Sequence, residues 1–245
     1  EMQRSLVGSE MCIRDRYHIV LDLEMNPVAK EYKNAYGILK QEIIEIGAVK
    51  LNERLEIVDT FDCFVKPEFN YQVTPYINKL TGIKSSSAMN AELFETALKN
   101  FETWIGDGSD IRLYSWSDND LIQLKTECEF KEIPFPENMK RWLDFQKVFP
   151  RLMNISNRRK HLALNEAIKY FDIEVDSKKA HNALYDAVIT SKLLVPFLNG
   201  EYKQQVKCVY DFTHLSDESI NTLGDTCGGA LKHLLEQMQL ESFAT

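Results

Sequence analysis

An apolar run that ends in two carboxylates, Tyr17-His18-Ile19-Val20-Leu21-Asp22-Leu23-Glu24-Met25-Asn26, sets the limits on how this chain can fold. A short, β-branched run of this kind reads as a buried central strand rather than a helix. Side chains alternate along a strand, so Asp22 and Glu24 project from one face, one pleat apart, while Leu21 and Leu23 point the other way. Two anions held close together at a buried strand end repel each other, and one or two divalent cations are the natural way to neutralise them. The alternative is a strand that has reached water, with both carboxylates solvated. Asp-x-Glu alone does not choose between the two; the partners supplied by the rest of the chain do.

The 245 residues suffice for one well-buried domain with a small appendage. With a net charge of −8 there is no global positive field to recruit nucleic acid, so such a ligand would need a local basic lining or metal ions at the site. Cysteines 12, 63, 128, 208 and 227 are scattered and lack Cys-x-x-Cys spacing, which fits a reducing cytoplasm and argues against zinc or a disulfide framework. No apolar run approaches the length of a membrane span. Residues 1–16 have no periodicity that joins them to the first strand, and Ser5–Arg16 resembles a translated adaptor. They are expected to be a non-native leader, without the apolar core and cleavage site of a signal peptide.

Along the chain, Val28–Gln41 is a polar loop with some helical content, beside the end of the first strand. Ile43–Val49 and Ile57–Val65 read as a second and third strand about a polar turn at Asn52–Glu56, an antiparallel meander. Thr74–Ile83 is a short helix stopped at Gly82, and Ala91–Ile105 carries the apolar stripe of a helix packed on a sheet. Ile111–Trp116 is a fourth strand, followed by Ser117-Asp118-Asn119-Asp120 and a helix over Leu121–Phe130. Asp118 is the better N-cap by position, and Asp120, inside the first turn, faces whatever lies beyond the strand end. Trp142–Met153 is amphipathic and His161–Phe171 helical. Ala180–Asp186, with His181, opens a helix that ends near Leu198–Gly200. After Glu201 the character changes: Val206–Phe212 could form a further strand or arm, Leu215–Ala230 is polar with several glycines, and Ala230–Leu240 is helical.

The acidic candidates are therefore Asp22 and Glu24 on the first strand, Asp118 or Asp120 after a later one, and Asp186 five residues after His181. Four ordered motifs carry a family likeness: Leu21-Asp22-Leu23-Glu24, Leu80-Thr81-Gly82-Ile83, Trp116-Ser117-Asp118-Asn119-Asp120 and His181-Asn182-Ala183-Leu184-Tyr185-Asp186. In that order they resemble the DEDDh branch of the DnaQ-like exonucleases. The Trp116–Asp120 form, with Met25 after the acidic pair, is most similar to the histone-mRNA and RNA-interference exoribonucleases and their bacterial sporulation-inhibitor relatives. The Ile43–Val49 strand and the Trp142–Phe145 segment are also similar to that family.

The resemblance implies an α/β, ribonuclease-H-like mixed sheet, an antiparallel three-strand meander plus parallel strands, flanked by helices. It implies an exonuclease domain over residues 17–199, with 200–245 an extension of unknown role that could dock a protein partner. By alignment to those relatives Asp120, not Asp118, is the third carboxylate. The implied site holds two Mg²⁺ or Mn²⁺ ions on Asp22, Glu24, Asp120 and Asp186, with His181 as general base. The implied reaction is 3′-to-5′ hydrolysis of single-stranded nucleic acid, RNA favoured, to nucleoside 5′-monophosphates. The backbone near Met25 would meet the terminal ribose, and Arg158, Arg159, Lys178 and Lys179 are candidate phosphate contacts. The competing expectations are a DNA proofreading or repair exonuclease and a catalytically idle nucleic-acid-binding or regulatory protein on the same fold.

Overall fold

The structure is a computed structural model that describes residues 16–107, 110–153, 161–171, 173–177 and 179–200. Its strands are β1 (Tyr17–Pro27), β2 (Gln41–Leu51), β3 (Ile57–Lys66), β4 (Glu92–Leu93), β5 (Ile111–Ser115) and β6 (Trp142–Asp144). Its helices are α1 (Lys33–Tyr36), α2 (Pro75–Thr81), α3 (Ser85–Met89), α4 (Phe94–Ile105), α5 (Asn119–Phe130), α6 (Phe145–Leu152), α7 (Leu164–Ala167) and α8 (Ala183–Leu198). The strands form one mixed sheet in the order β4-β3-β2-β1-β5-β6. β1 and β2 pair antiparallel, as do β2 and β3, and β5 runs parallel to β1 with β6 parallel beyond it. This is the expected meander extended by parallel strands, with β1 inside the sheet and helices on both faces.

The alternation of β1 decides what each face holds. Ile19, Leu21 and Leu23 are buried against Phe94, Leu98 and Phe101 of α4 and Leu124 of α5. Burial of each such side chain contributes roughly 1.5–3 kcal/mol. On the opposite face, Val20 and Val49 pack with Ile189 and Leu193 of α8 and with Phe145 and Phe149 of α6. Asp22 and Glu24 share the parity of Val20, so they continue that second face towards the end of the strand, beneath the start of α8.

Gly47 makes the approach of α8 possible. It pairs with Asp22 across the β1–β2 ladder. A Cβ at this position would lie 2.0 Å from the Leu184 amide nitrogen and 2.2 Å from the Ala183 carbonyl carbon. Only a residue without a side chain lets the helix backbone rest directly on β2.

Several expected boundaries change. The helix expected from Ala91 begins at Phe94, because Glu92 and Leu93 pair with Val65 and Lys66 of β3 first. Trp142–Met153 splits in two: Trp142–Asp144 adds the sixth strand, and α6 follows with the Asp144 carboxylate accepting from the Lys147 amide as its N-cap. The segment His161–Phe171 is helical only from Leu164, with its last turn tightened to 3₁₀ geometry at Ile168–Tyr170. Gly82 stops α2 as expected, in the left-handed conformation at φ 78°. The leader and everything after Gly200, including the Val206–Phe212 strand and the Ala230–Leu240 helix, lie outside the described residues. Among the described residues no helix is long and apolar enough to cross a membrane.

Candidate active site

β1 and β5 separate, and the gap is where the carboxylates meet. Their parallel pairing ends at Val20 opposite Tyr114. Further along β1, the Leu23 amide has no strand partner on that side and donates instead to Asp120 Oδ1, at 3.1 Å. The chain leaves β5 at Ser115 and turns into α5, which places Asp120 in the first helical turn, buried and facing β1. The Ser117 hydroxyl donates to the other Asp120 oxygen, at 3.4 Å. Asp118 points elsewhere. It occupies the N-cap position of α5 but makes no side-chain capping bond. Its carboxylate is ion-paired with Lys147 of α6, and that contact holds its pKa below the usual range. The expectation that Asp118 caps the helix is therefore corrected: a tertiary cation competes for its side chain and wins.

A β-bulge shapes the end of β1. Glu24 lies opposite Glu45, but Met25 lies opposite Ile43, so Ile44 is an extra residue on β2. The Ile43 amide at the bulge donates to Glu127 Oε2 of α5, at 2.9 Å. Met25 packs its side chain against the α4 and α5 face of the sheet, opposite Glu24.

The third piece is the turn before α8. His181 is not in the helix, as Ala180–Asp186 had suggested, but precedes it in the left-handed region, with φ of 65°. For a non-glycine residue that conformation is uncommon and needs support from its surroundings. The support is a closed set of hydrogen bonds. The His181 amide donates to Asp186 Oδ2 at 3.0 Å, and the Tyr185 amide to the Asn182 side chain at 3.0 Å. From β2, Glu45 accepts from Asn182 Nδ2 at 3.0 Å and from the Ala183 amide at 3.1 Å. The turn brings ligand-capable atoms of Glu24, His181 and Asp186 within 4.8 Å of one another, with His181 on the solvent side.

Electrostatics follow from this convergence. Burial raises the pKa of Asp22 well above its ordinary value, and the Asp120, Glu24, Asp186 and Glu45 carboxylates push it further. Burial and then Glu45, Asp186 and Asp120 raise Glu24 to about 9. Burial also raises Asp120 to about 7, against the opposing hydrogen bond from Leu23, and raises Asp186 against the hydrogen bond from His181. The charges acting on Asp22 and Glu24 are other carboxylates, which is the signature of a site built for positive charge that side chains do not supply. Four oxygen donors beside an imidazole fit a hard divalent cation.

Glu45 is the residue that sequence reasoning passed over. Burial raises its pKa to about 7, opposed by the Ala183 amide, with the neighbouring Asp62 adding to the rise. Its signal was present: one carboxylate within Ile43-Ile44-Glu45-Ile46-Gly47-Ala48-Val49 must find buried donors or remain uncompensated. Of the expected phosphate contacts, Lys179 is exposed two residues before His181, and Lys178, Arg158 and Arg159 lie outside the described residues.

The architecture is that of the ribonuclease-H-like exonucleases. It matches the crystal structure of the nuclease domain of 3′hExo, a DEDDh family member bound to rAMP, with a TM-score of 0.66 and 24% identity, over 77% of this chain and 94% of that one. The chain belongs to the exonuclease family (RNase_T, described as Exonuclease), whose profile matches residues 19–194. Among individual proteins it is similar to human ERI1 exoribonuclease 3, at 27% identity over 161 residues, 62% of this chain and 47% of the relative. It is also similar to 3′-5′ exoribonuclease 1 of Rattus norvegicus, at 25% identity over 205 residues, 80% of this chain and 57% of the relative. The chain thus spans about half the length of these relatives.

Proposed function

We propose that this protein is a divalent-metal-dependent 3′-to-5′ exonuclease that hydrolyses single-stranded nucleic acid, RNA in preference to DNA, and releases nucleoside 5′-monophosphates. The observation that carries the proposal is the meeting of Asp22, Glu24, Asp120 and Asp186 at the open end of β1 with their charges uncompensated. Asp22, Glu24 and Asp186 would hold one Mg²⁺ or Mn²⁺ ion, and Asp22 with Asp120 a second. When bound, such ions polarise a phosphodiester and stabilise the charge that develops on its oxygens.

The protein's own residues supply the rest. Leu23 and Ser117 orient the Asp120 carboxylate from two sides. The His181 amide orients Asp186, and Glu45 fixes the turn that carries both. A ring nitrogen of His181, at the solvent side of the cluster, takes the proton from the attacking water; imidazole suits that transfer near neutrality. The proximity of His181 to Glu24 and Asp186 favours a second reading, in which its ring is a cation ligand. Calorimetric titration of His181→Ala with Mn²⁺ separates them: unchanged affinity supports the base, lost affinity the ligand.

The RNA preference is supported by the names of the relatives, both exoribonucleases. Telling RNA from DNA requires a contact to the 2′-hydroxyl, and the backbone at Met25, beside Glu24 and opposite the β2 bulge, would make it. Matched RNA and DNA oligomers of one sequence, compared by kcat/KM, test it. Higher efficiency on DNA would favour proofreading or repair, and hydrolysis of neither would favour a regulatory, non-catalytic role. A cytoplasmic setting is supported by Cys63 and Cys128, which are free thiols.

A further inference from the structure

Six of the twenty lysines and arginines among the described residues are neutralised where they stand. Lys99, Lys131, Lys140, Lys147, Arg16 and Arg112 all form ion pairs with carboxylates. Five others gather in one region. Lys30, Lys33 and Lys40, on the segment that continues β1 past the site, are exposed and make no ion pair among the described residues. The same holds for Lys79 on α2 and Lys84 just before α3.

These two segments form one surface. The Ala29 amide donates to the Phe69 carbonyl at 2.8 Å, and Asn70 Nδ2 to the Pro27 carbonyl at 2.8 Å. The Asn26 side chain, two residues after Glu24, bonds the Gln72 carbonyl and the Thr74 amide. Val28, Ala35 and Leu39 form a small core beneath, with Phe69 and Phe130 packed against it. The acids here do not cancel the lysines: over residues 28–40 and 70–84 five lysines stand against one carboxylate, Glu31, which accepts from the Tyr71 hydroxyl, and nearby Glu68 is paired with buried Lys131. The only exposed tyrosines among the described residues, Tyr36, Tyr71 and Tyr76, also lie on this surface, 44%, 63% and 71% exposed.

Uncompensated lysines interleaved with exposed aromatic rings are the chemistry of a single-stranded nucleic-acid track: ammonium groups follow the phosphates and ring faces accept bases of any identity. We infer that the surface formed by residues 28–40 and 70–84 binds the part of a single-stranded substrate upstream of its 3′ end. The inference rests on the exonuclease reading and extends it. An acidic protein thereby gains local positive charge beside its carboxylate site, and contacts to backbone and base faces make the grip tolerant of sequence.

The test uses the full chain and two 5′-labelled oligomers of one sequence, a trinucleotide and a strand of about fifteen nucleotides, several times longer than the site end can cover alone. Hydrolysis is followed with Mg²⁺, and binding by fluorescence anisotropy with the metal omitted. Combined Lys30→Glu, Lys33→Glu and Lys40→Glu should raise KM for the long strand by about tenfold or more and leave kcat/KM on the trinucleotide unchanged. Its salt slope should fall by about two, at ~0.7 per phosphate contact. Tyr36→Ala with Tyr76→Ala should weaken long-strand binding by about fivefold or more. Equal effects on both lengths, or none on either, would overturn the inference, as would an acidic protein competing for this surface while long strands bind unchanged. Should the wild type cleave neither oligomer, the exonuclease reading fails by itself. The anisotropy data then decide the surface, which stands only if charge reversal weakens long-strand binding.

Discussion

In the absence of metal, Asp22, Glu24, Asp120 and Asp186 are carboxyl groups that oppose one another and their own burial. That gives each a double signature. Asp22→Asn, Glu24→Gln, Asp120→Asn and Asp186→Asn should each abolish hydrolysis, yet the metal-free variants should melt at equal or higher temperature than the wild type. The direction follows from proton linkage. A group whose pKa is raised on folding adds stability below its unfolded pKa and loses it as pH rises through the folded value. Glu24 moves from 4.5 to about 9, so the metal-free wild type should lose stability steadily across that window. Glu24→Gln should flatten the loss, with a gain of a few °C at about pH 8 that vanishes near pH 4. Thermal melts in EDTA across pH check this. Asp118→Asn is the control: with its side chain committed to Lys147, it should retain near-normal turnover. His181→Ala should lower kcat by roughly 10²–10⁴-fold, the usual worth of a positioned general base.

At the scale of elements, the site depends on how closely α8 rests on β2. Gly47→Ala should destabilise the protein by on the order of 1–3 kcal/mol or more, because its methyl group would meet backbone atoms of Ala183 and Leu184 and not a movable side chain. Since the same backbone carries His181 and Asp186, turnover should fall even where the variant remains folded, as steady-state kinetics below its melting temperature would show. Glu45→Ala should lower turnover through the turn it holds, and Glu45→Gln should recover part of the loss, because an amide oxygen can still accept from Ala183. These elements also mark what the sequence makes legible. β1, the meander and the α4 stripe are long enough for periodicity to be read. β6 is not: three residues carry no period, and their place beside β5 is a tertiary fact. Asp118 and Asp120 look alike in sequence because Lys147, the cation that separates them, lies on a distant helix. The left-handed turn at His181 is equally hidden, since its support comes from Glu45 on another strand.

For the whole molecule, the four carboxylates that would hold cations come from β1, α5 and α8, all before residue 200. Removing residues 201–245 should leave the protein able to cut, at a cost in stability or solubility; a folded but inactive truncation would show that this segment builds part of the substrate path. The family likeness was readable because its motifs sit at strand ends and helix starts, where side-chain direction follows from local geometry. The lysine and tyrosine surface was not, since its two segments are far apart in the chain and are united by tertiary contacts, among them the Asn26, Asn70 and Phe69 hydrogen bonds.

The central claim is a metal-dependent exonuclease that works from the 3′ end. Its most direct test is incubation of the full chain with 5′-labelled and 3′-labelled single-stranded RNA, with Mg²⁺ or Mn²⁺ and again with EDTA. The account predicts that, with metal, the 5′-labelled strand shortens stepwise into a ladder while the 3′-labelled strand gives labelled nucleoside 5′-monophosphate as its first product. With EDTA, or with Asp186→Asn, neither should occur. A ladder that persists in EDTA, internal cleavage, or label released first from the 5′ end would contradict it.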